Sequence, residues 1–175
     1  MLLINLESYN RNSLSLDQQD FLTKIVPLSQ LISNWIVGKC QFANKPTRHG
    51  IFPSIIMSEI ILKSEWGSHP ISKSEYNNKY SNNLTLLEAD KFWNGKKQKF
   101  ENKSYKAYKD WGSWSVDFSD YIVFSGEFDR TLKCTDVSSQ IPQWGLTNSN
   151  SACYNREYSG LIDLTIDFYN LNQFN

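Results

Sequence analysis

An almost uninterrupted apolar helix is the feature that most limits how this chain can fold. The segment from Phe52 to Pro70 reads FPSIIMSEIILKSEWGSHP. Pro53 suits the first position of a helix, because proline has no backbone N–H to leave unpaired there. The residues that follow are apolar on nearly every side of a helical wheel, and such a helix belongs in the middle of a domain. The sequence therefore predicts a central helix that begins at Pro53.

A second helix is predicted ahead of the central one. Ser15 and Gln18 have the spacing of a capping box, in which each side chain pairs with the backbone of the other residue. The apolar residues that follow recur at helical spacing and share one face: Phe21, Ile25, Leu28, Ile32 and Trp35. Pro27 is expected to kink this helix. The polar stretch 38–50 is predicted to be a loop.

The second half of the chain predicts two more helices and one hairpin. Apolar spacing marks helices between Trp114 and Ser125 and between Tyr158 and Tyr169, with Asn155 as a candidate N-cap. Asn94-Gly95 predicts a type I′ hairpin turn. The stretch 133–152 is expected to be mostly loop. We therefore predict an α+β fold that is mainly helical, with a small β-hairpin lobe and a cleft between the lobes.

Composition limits the classes of function. A length of 175 residues suits one domain over 1–175, with 1–14 as an irregular lead-in. The charges of the 18 basic and 18 acidic side chains cancel, so the formal net charge is zero. This balance argues against nucleic acid as a partner, because phosphate binding needs a basic excess or a basic stripe. The 6 Trp, 9 Tyr and 10 Phe either fill the core or stack on sugar rings.

No targeting or membrane segment is expected. The chain has no run of 18 apolar residues, which a membrane span would require. The N-terminal MLLINLESYNRNS lacks the basic start, the long apolar run and the cleavage site of a signal peptide. We expect the protein to be made in the cytoplasm.

The cysteines and histidines give no sign of a metal or redox centre. Cys40, Cys134 and Cys153 cannot all pair, and no Cys/His spacing of a zinc site is present. Cys134 and Cys153 either form one disulfide or remain free thiols. His49 and His69 are far apart in sequence and are interpreted as surface or packing residues. We therefore predict no metal and no cofactor.

Short motifs spread over nearly the whole chain carry a family resemblance. In chain order they are Pro53-Ser54, Leu62-Lys63-Ser64-Glu65-Trp66-Gly67, Asn82-Asn83-Leu84, Trp93-Asn94-Gly95, Tyr105-Lys106-Ala107-Tyr108, Ser115 to Tyr121 and Tyr158 to Phe174. This order resembles glycoside hydrolase family 73, the bacterial and phage endo-β-N-acetylglucosaminidases that cleave peptidoglycan. The resemblance implies a lysozyme-like fold, peptidoglycan glycan strands as the substrate, and action at the bacterial cell wall as a phage lysin or a tail-associated enzyme.

Three departures from the family pattern bear on catalysis. Lys63 stands where the family carries the glutamate that serves as general acid. TLLEAD follows Asn-Asn-Leu in place of Phe-Gly-Ile-Lys. The hairpin is short, which leaves Glu101 as the nearest candidate for the second acid. Lysine cannot inherit the general-acid role, because an ordinary lysine has a pKa of about 10.4 and gives up its proton reluctantly.

Four residues are the candidates for catalysis. Glu59 lies one helical turn before Lys63 and either acts as the acid or forms a surface ion pair with Lys63. Glu65 either swings into the cleft at the helix end or is a solvated terminal residue. Glu101 is either the second acid or a hairpin surface charge. Tyr108 either orients water or an acetamido group, or is a core tyrosine with a satisfied hydroxyl.

Six residues are the candidates for substrate binding: Lys63, Trp66, Asn82, Asn83, Trp93 and Tyr105. Trp66 is alternatively a packing residue, and the two asparagines are alternatively turn caps. Two functions remain open. One is a peptidoglycan hydrolase with a substituted acid. The other is a glycan-binding pseudoenzyme, whether Lys63 arose by drift or by engineered inactivation.

Overall fold

The computed structural model describes residues 14–47, 49–147 and 152–175, with side chains from 156 onward in the last range. Nearly all of the predicted lead-in, 1–14, lies outside these residues. The helices are α1 (Leu16–Phe42), α2 (Pro53–Ser64), α3 (Trp111–Phe124), α4 (Val137–Thr147) and α5 (Ala152–Phe168). The strands are β1 (Glu75–Tyr76), β2 (Lys79–Tyr80), β3 (Lys97–Phe100) and β4 (Lys103–Lys106). Short 3₁₀ turns lie at Pro70–Ser72, Thr131–Lys133 and Leu171–Phe174.

Helix α2 is the centre of the core, as predicted. Ile55, Ile56, Met57 and Ile60 are all fully buried on this helix. The helix packs against α1 and α5, and the 3₁₀ turn at the C-terminus covers it as well. Burial of each large side chain of this kind contributes about 1.5–3 kcal/mol, so α2 supplies much of the stability of the domain. No helix in the described ranges is long and apolar enough to span a membrane.

Helix α1 is longer than predicted. The capping box is present, because Ser15 Oγ accepts the N–H of Gln18 and the Gln18 side chain accepts the N–H of Ser15. Pro27 lies inside an α-helix that continues to Phe42. The prediction of a loop from residue 38 was therefore wrong at its start. Tertiary packing explains the extra turns, because Cys40 in the last turn is fully buried against the core and stabilises the end of the helix.

The stretch predicted to be loop before the last helix contains α4. Asp136 accepts the N–H of Ser139 at 2.8 Å, which caps the first turn. Trp144 is fully buried, and the amide of Gln140 donates to Gly50 O at 2.9 Å. This burial holds the helix although Pro142 lies within it. Asn155 is not an N-cap, because α5 begins at Ala152.

The small β lobe is present, but its turn is not where the sequence predicted it. Strands β3 and β4 pair antiparallel from Lys97↔Lys106 to Phe100↔Lys103, so the chain reverses at residues 101–102. Asn94-Gly95 lies in the loop before β3. Trp93 occupies the space over Gly95, and its Nε1 donates to Lys96 O at 2.9 Å. Packing of this indole ring therefore places Asn94-Gly95 in a loop, although the two residues are typical of a hairpin turn.

Candidate active site

A cleft of about 440 Å³ opens between the second half of α2 and the β lobe. Its charged lining residues are Glu59, Lys63, Glu88, Asp90, Lys106 and Glu127. Helix α2 brings Glu59 and Lys63 to one wall because they are one helical turn apart. The segment between Asn83 and Trp93 brings Glu88 and Asp90 to the lobe side. Carboxylates therefore face the cleft from both sides, with a lysine at the position of the family acid.

Glu59 is buried at the base of the cleft with only 2% of its surface exposed. One carboxylate oxygen, Oε2, accepts hydrogen bonds from Trp144 Nε1 at 3.0 Å and from the Tyr158 hydroxyl at 2.5 Å. Burial raises the pKa of Tyr158 well above its usual value, and the Glu59 charge adds to this shift. Tyr158 is therefore a permanent donor to Glu59.

Lys63 does not pair with Glu59, so the surface ion pair considered above is not formed. Among the described side chains its ammonium group instead lies over the ring of Tyr158, 5.0 Å from the ring centre. A cation in this place is held by the electron-rich face of the aromatic ring. Tyr158 therefore contacts both the buried carboxylate, through its hydroxyl, and the lysine, through its ring.

Glu88 is a cleft residue that the sequence analysis did not single out. It forms an isolated bridge with Tyr105 of β4 and an ion pair with Lys103. Its side chain is 57% exposed. Glu88 belongs to the TLLEAD segment that departs from the family pattern, and that departure was the available signal. Asp90, by contrast, is committed to the loop, because its Oδ1 accepts the N–H groups of Phe92 and Trp93 at 2.8 and 2.9 Å.

Glu65 and Glu101 come together, but they do not line the cleft. Glu65 ends α2 in the left-handed conformation with φ of 50°, and its side chain is exposed. Glu101 lies in the β3–β4 turn with φ of 53° and is also exposed. The charges of both carboxylates act on the pKa of His69. The His69 ring packs edge-on against Phe100, with 5.0 Å between the ring centres. Their catalytic roles remain predictions.

His69 predicts a pH dependence of folding. Burial lowers the pKa of His69 below 6.5, although the charges of Glu65 and Glu101 oppose this shift. The neutral ring is used in the fold, because Nδ1 accepts the N–H of Ile71 at 3.2 Å. The folded protein therefore holds the proton less tightly than the unfolded chain, and the free energy of unfolding decreases as the pH falls below about 6.5.

The measurement is urea denaturation of the parent and of His69→Asn between pH 8 and pH 5. Asparagine can accept the same N–H but does not titrate, so the variant should lose less stability than the parent over this interval. Parallel curves for the two proteins would show that His69 does not contribute to the pH dependence.

Tyr108 lies in the core, with 5% of its surface exposed. Its hydroxyl donates to Asp117 Oδ2 at 2.6 Å, and burial together with Asp117 strongly raises the pKa of Tyr108. Lys106 contacts the same oxygen at 3.0 Å and lies 4.5 Å from the ring centre of Trp93. Lys106 lines the cleft, whereas Tyr108 supports it from behind through Asp117. Tyr105 is also buried, with 8% of its surface exposed.

The side-chain amides of Asn82 and Asn83 donate hydrogen bonds to backbone carbonyls at the end of β4 and in the adjoining loops. Nδ2 of Asn82 donates to Lys109 O at 2.9 Å and to Tyr108 O at 3.1 Å. Nδ2 of Asn83 donates to Leu87 O and Lys106 O, both at 2.9 Å. Oδ1 of Asn83 accepts the N–H of Leu87, which is the turn-capping role considered above. Sugar binding by either residue remains a prediction.

The remaining sequence predictions concern Trp66, the thiols and metals. Trp66 packs edge-on against Phe21 at 6.1 Å and Tyr169 at 4.8 Å. Cys40 and Cys134 are free thiols, and burial raises the pKa of Cys40. The Cys153 side chain lies outside the described residues. No cluster of three metal-ligating side chains occurs in the part of the chain that the structure describes.

Comparison with solved structures assigns the architecture. The catalytic domain of the autolysin Auto from Listeria monocytogenes superposes with a TM-score of 0.65 over 97% of this chain and 92% of that domain. The fold is lysozyme-like. A peptidoglycan hydrolase from Sphingomonas sp. A1 gives a TM-score of 0.64, covering 90% of this chain and 95% of that one. The glycoside hydrolase domain of Salmonella typhimurium FlgJ gives 0.63, covering 90% of this chain and 94% of that domain.

Sequence identity to each of these three proteins is 15%. No family model matches the sequence. No curated protein matches it either. The lysozyme-like fold expected from the motifs is confirmed, and the mainly helical architecture with small hairpins is confirmed with it.

Proposed function

We propose that this protein cleaves the glycan strands of bacterial peptidoglycan, as an endo-β-N-acetylglucosaminidase-like hydrolase acting at the cell wall in a phage lysin or tail-associated setting. One observation carries the proposal: Glu59 and Glu88 line one open cleft from opposite lobes, together with Lys63. Glycosidases use a pair of carboxyl groups that flank the scissile bond. The names of the solved structures with this fold are consistent with a peptidoglycan substrate.

Glu88 is the carboxylate best able to reach a bound sugar. Asp90 is held by backbone N–H groups, and Glu127 accepts the Tyr121 hydroxyl at 2.5 Å. Glu88 has a single ion pair with Lys103, whose side chain is 58% exposed, and such exposed pairs are weak. A substrate can therefore displace Lys103 and use Glu88 to take a proton from the attacking water and to stabilise positive charge on the ring.

Glu59 is the carboxyl group on the helix side, beside the family acid position. In the proposed reaction Glu59 enters with a proton on Oε1, the oxygen that accepts neither the Trp144 nor the Tyr158 hydrogen bond, and passes it to the leaving oxygen as the C1–O bond breaks, while water or the acetamido oxygen of the substrate attacks C1. Tyr158 and Trp144 then stabilise the carboxylate that remains. This arrangement supports a slower reaction than a free, half-exposed acid would, because Glu59 is so deeply buried.

The pseudoenzyme is the second candidate, and Lys63 is the observation that favours it. The ammonium group over Tyr158 opposes the positive charge that develops on the sugar during cleavage. In that case the cleft retains its shape and binds glycan strands without cutting them.

Glu88→Gln tests the hydrolase. The amide cannot accept a proton, so clearing of Gram-positive cell walls in a zymogram should fall by roughly 10²-fold or more, the scale of general acid–base catalysis. Glu157→Gln is the matched control, because it makes the same change of charge at an exposed residue of α5 outside the cleft.

Full clearing by Glu88→Gln would remove Glu88 from the mechanism. Equal loss in both variants would point to a general effect of charge. No clearing by the parent protein, with retained binding to purified cell walls, would establish the pseudoenzyme instead.

A further inference from the structure

A second groove, of about 830 Å³, lies between the start of α1, the end of α2, the β1–β2 hairpin and the start of α3. It shares no lining residue with the cleft. Asn82 lines the groove, and Thr85, three residues later, lines the cleft. The two openings are therefore separate sites that are joined by one short segment.

Aromatic rings form the apolar part of this groove. Trp66 and Trp111 are both half-buried and pack edge-on against Phe21, at 6.1 and 5.9 Å between ring centres. Tyr80 stands at the rim and is 42% exposed. Half-exposed aromatic rings in a concave site offer apolar surface to the C–H faces of a sugar ring, with polar edges beside it.

Unused polar groups lie among these rings. Neither the Trp66 nor the Trp111 indole N–H donates to any described residue, and neither nitrogen is a buried unsatisfied atom. Both therefore retain access to solvent. Both tryptophans line the groove, so their indole N–H groups are donors available to a polar ligand there.

Asn82 adds an acceptor at the base of the groove. It is only 5% exposed, and its Nδ2 is used by the carbonyls of Ser74, Tyr108 and Lys109 at 3.3, 3.1 and 2.9 Å. Its Oδ1 accepts no hydrogen bond from a described residue, yet it is not sealed from solvent. The hydrogen bonds of Nδ2 fix the orientation of the side chain, so Oδ1 is a preorganised acceptor for a ligand donor.

The charges of the groove favour a neutral ligand. Four carboxylates line it, Asp17, Asp20, Glu75 and Asp110, together with three lysines, Lys24, Lys73 and Lys109. The signs nearly cancel, so a polyanion gains little there. A chain of neutral, hydroxylated units fits a groove of this kind.

We propose that this groove is a second glycan-binding site, which holds β-1,4-linked N-acetylhexosamine units outside the cleft. The choice of this glycan rests on the proposed function. The site itself rests on the aromatic rings, the two indole donors and the Asn82 acceptor. A protein with two such sites can hold one part of a cell wall while the cleft engages another part.

The test is an NMR titration of the full chain with triacetylchitotriose. The indole N–H signals of Trp66 and Trp111 should shift, as donors do when they gain a bound acceptor. Tyr80→Ala should weaken the affinity read from these signals by roughly tenfold, the scale seen when an aromatic contact is truncated. The control is Phe92→Ala, which removes a ring that is 77% exposed and lines neither site.

The outcomes separate this proposal from the proposed function. Shifts confined to Lys63, Glu88 and their neighbours would overturn the second site and leave the cleft intact. Shifts confined to the groove would support the second site and contradict the cleft. No shifts at millimolar sugar would overturn both proposals. If Tyr80→Ala, Phe92→Ala and the parent bind the sugar with equal affinity, the second glycan site is overturned even if the indole N–H signals shift.

Discussion

Replacement of Glu59 by alanine is expected to destabilise the folded protein by about 2–6 kcal/mol, because each of two interior donors that loses its acceptor costs about 1–3 kcal/mol. The change removes the acceptor that both the Trp144 indole N–H and the Tyr158 hydroxyl use in the interior. It also leaves a cavity next to α2. The free energy of unfolding of a small domain is only about 5–15 kcal/mol in total, so this loss is large. The measurement is the free energy of unfolding in urea.

Glu157→Ala is the matched control for this experiment. Glu157 is exposed on α5, so the same substitution there should change stability by less than about 0.5 kcal/mol.

A double-mutant cycle isolates the contribution of the hydrogen bond from Tyr158 to Glu59. Tyr158→Phe should cost about 1–3 kcal/mol in the parent but much less when Glu59 is already alanine, because the hydroxyl then has nothing to donate to. Additive losses would mean that the 2.5 Å hydrogen bond contributes nothing.

Replacement of Lys63 by glutamate is expected to raise cell-wall clearing by roughly 10²-fold, the contribution of a well-placed general acid. The new carboxyl group would stand one helical turn from Glu59, in the cleft and against the Tyr158 ring. Two neighbouring carboxyl groups cannot both ionise freely, so one of them acquires a raised pKa and keeps its proton near neutral pH. A protonated carboxyl group in the cleft is what the leaving oxygen requires.

Lys63→Gln separates the two effects of this substitution. It removes the opposing positive charge but supplies no acid, so clearing should rise much less than in Lys63→Glu. If both variants gain activity equally, the lysine charge was the obstacle and no acid was created. If Lys63→Glu loses the activity that the parent shows, then Lys63 takes part in the reaction and the assignment of Glu59 as acid fails. The two variants should be compared at equal fractions folded.

The candidate site shows where sequence reasoning reaches its limit. The motifs located Lys63 and Glu59 correctly on one helix, because spacing along a helix follows from its pitch. They did not locate Glu88, because the face of an irregular segment depends on what it packs against. The structure instead placed the two predicted acids Glu65 and Glu101 beside His69.

The pattern of residues in the chain determined the elements that depend on local chemistry. Proline at the helix start, the Ser15–Gln18 capping box and the apolar surface of α2 act over one or two turns, and each was predicted correctly. Only the tertiary structure decided α4, the turn at Glu101 and the hydrogen bonds of Glu59. These depend on the burial of Trp144 beside Glu59 and on the packing of Trp93 against Lys106 and Tyr108, all distant in sequence. Burial of large side chains outweighs turn and helix propensities, which are worth about 1 kcal/mol or less for ordinary residues.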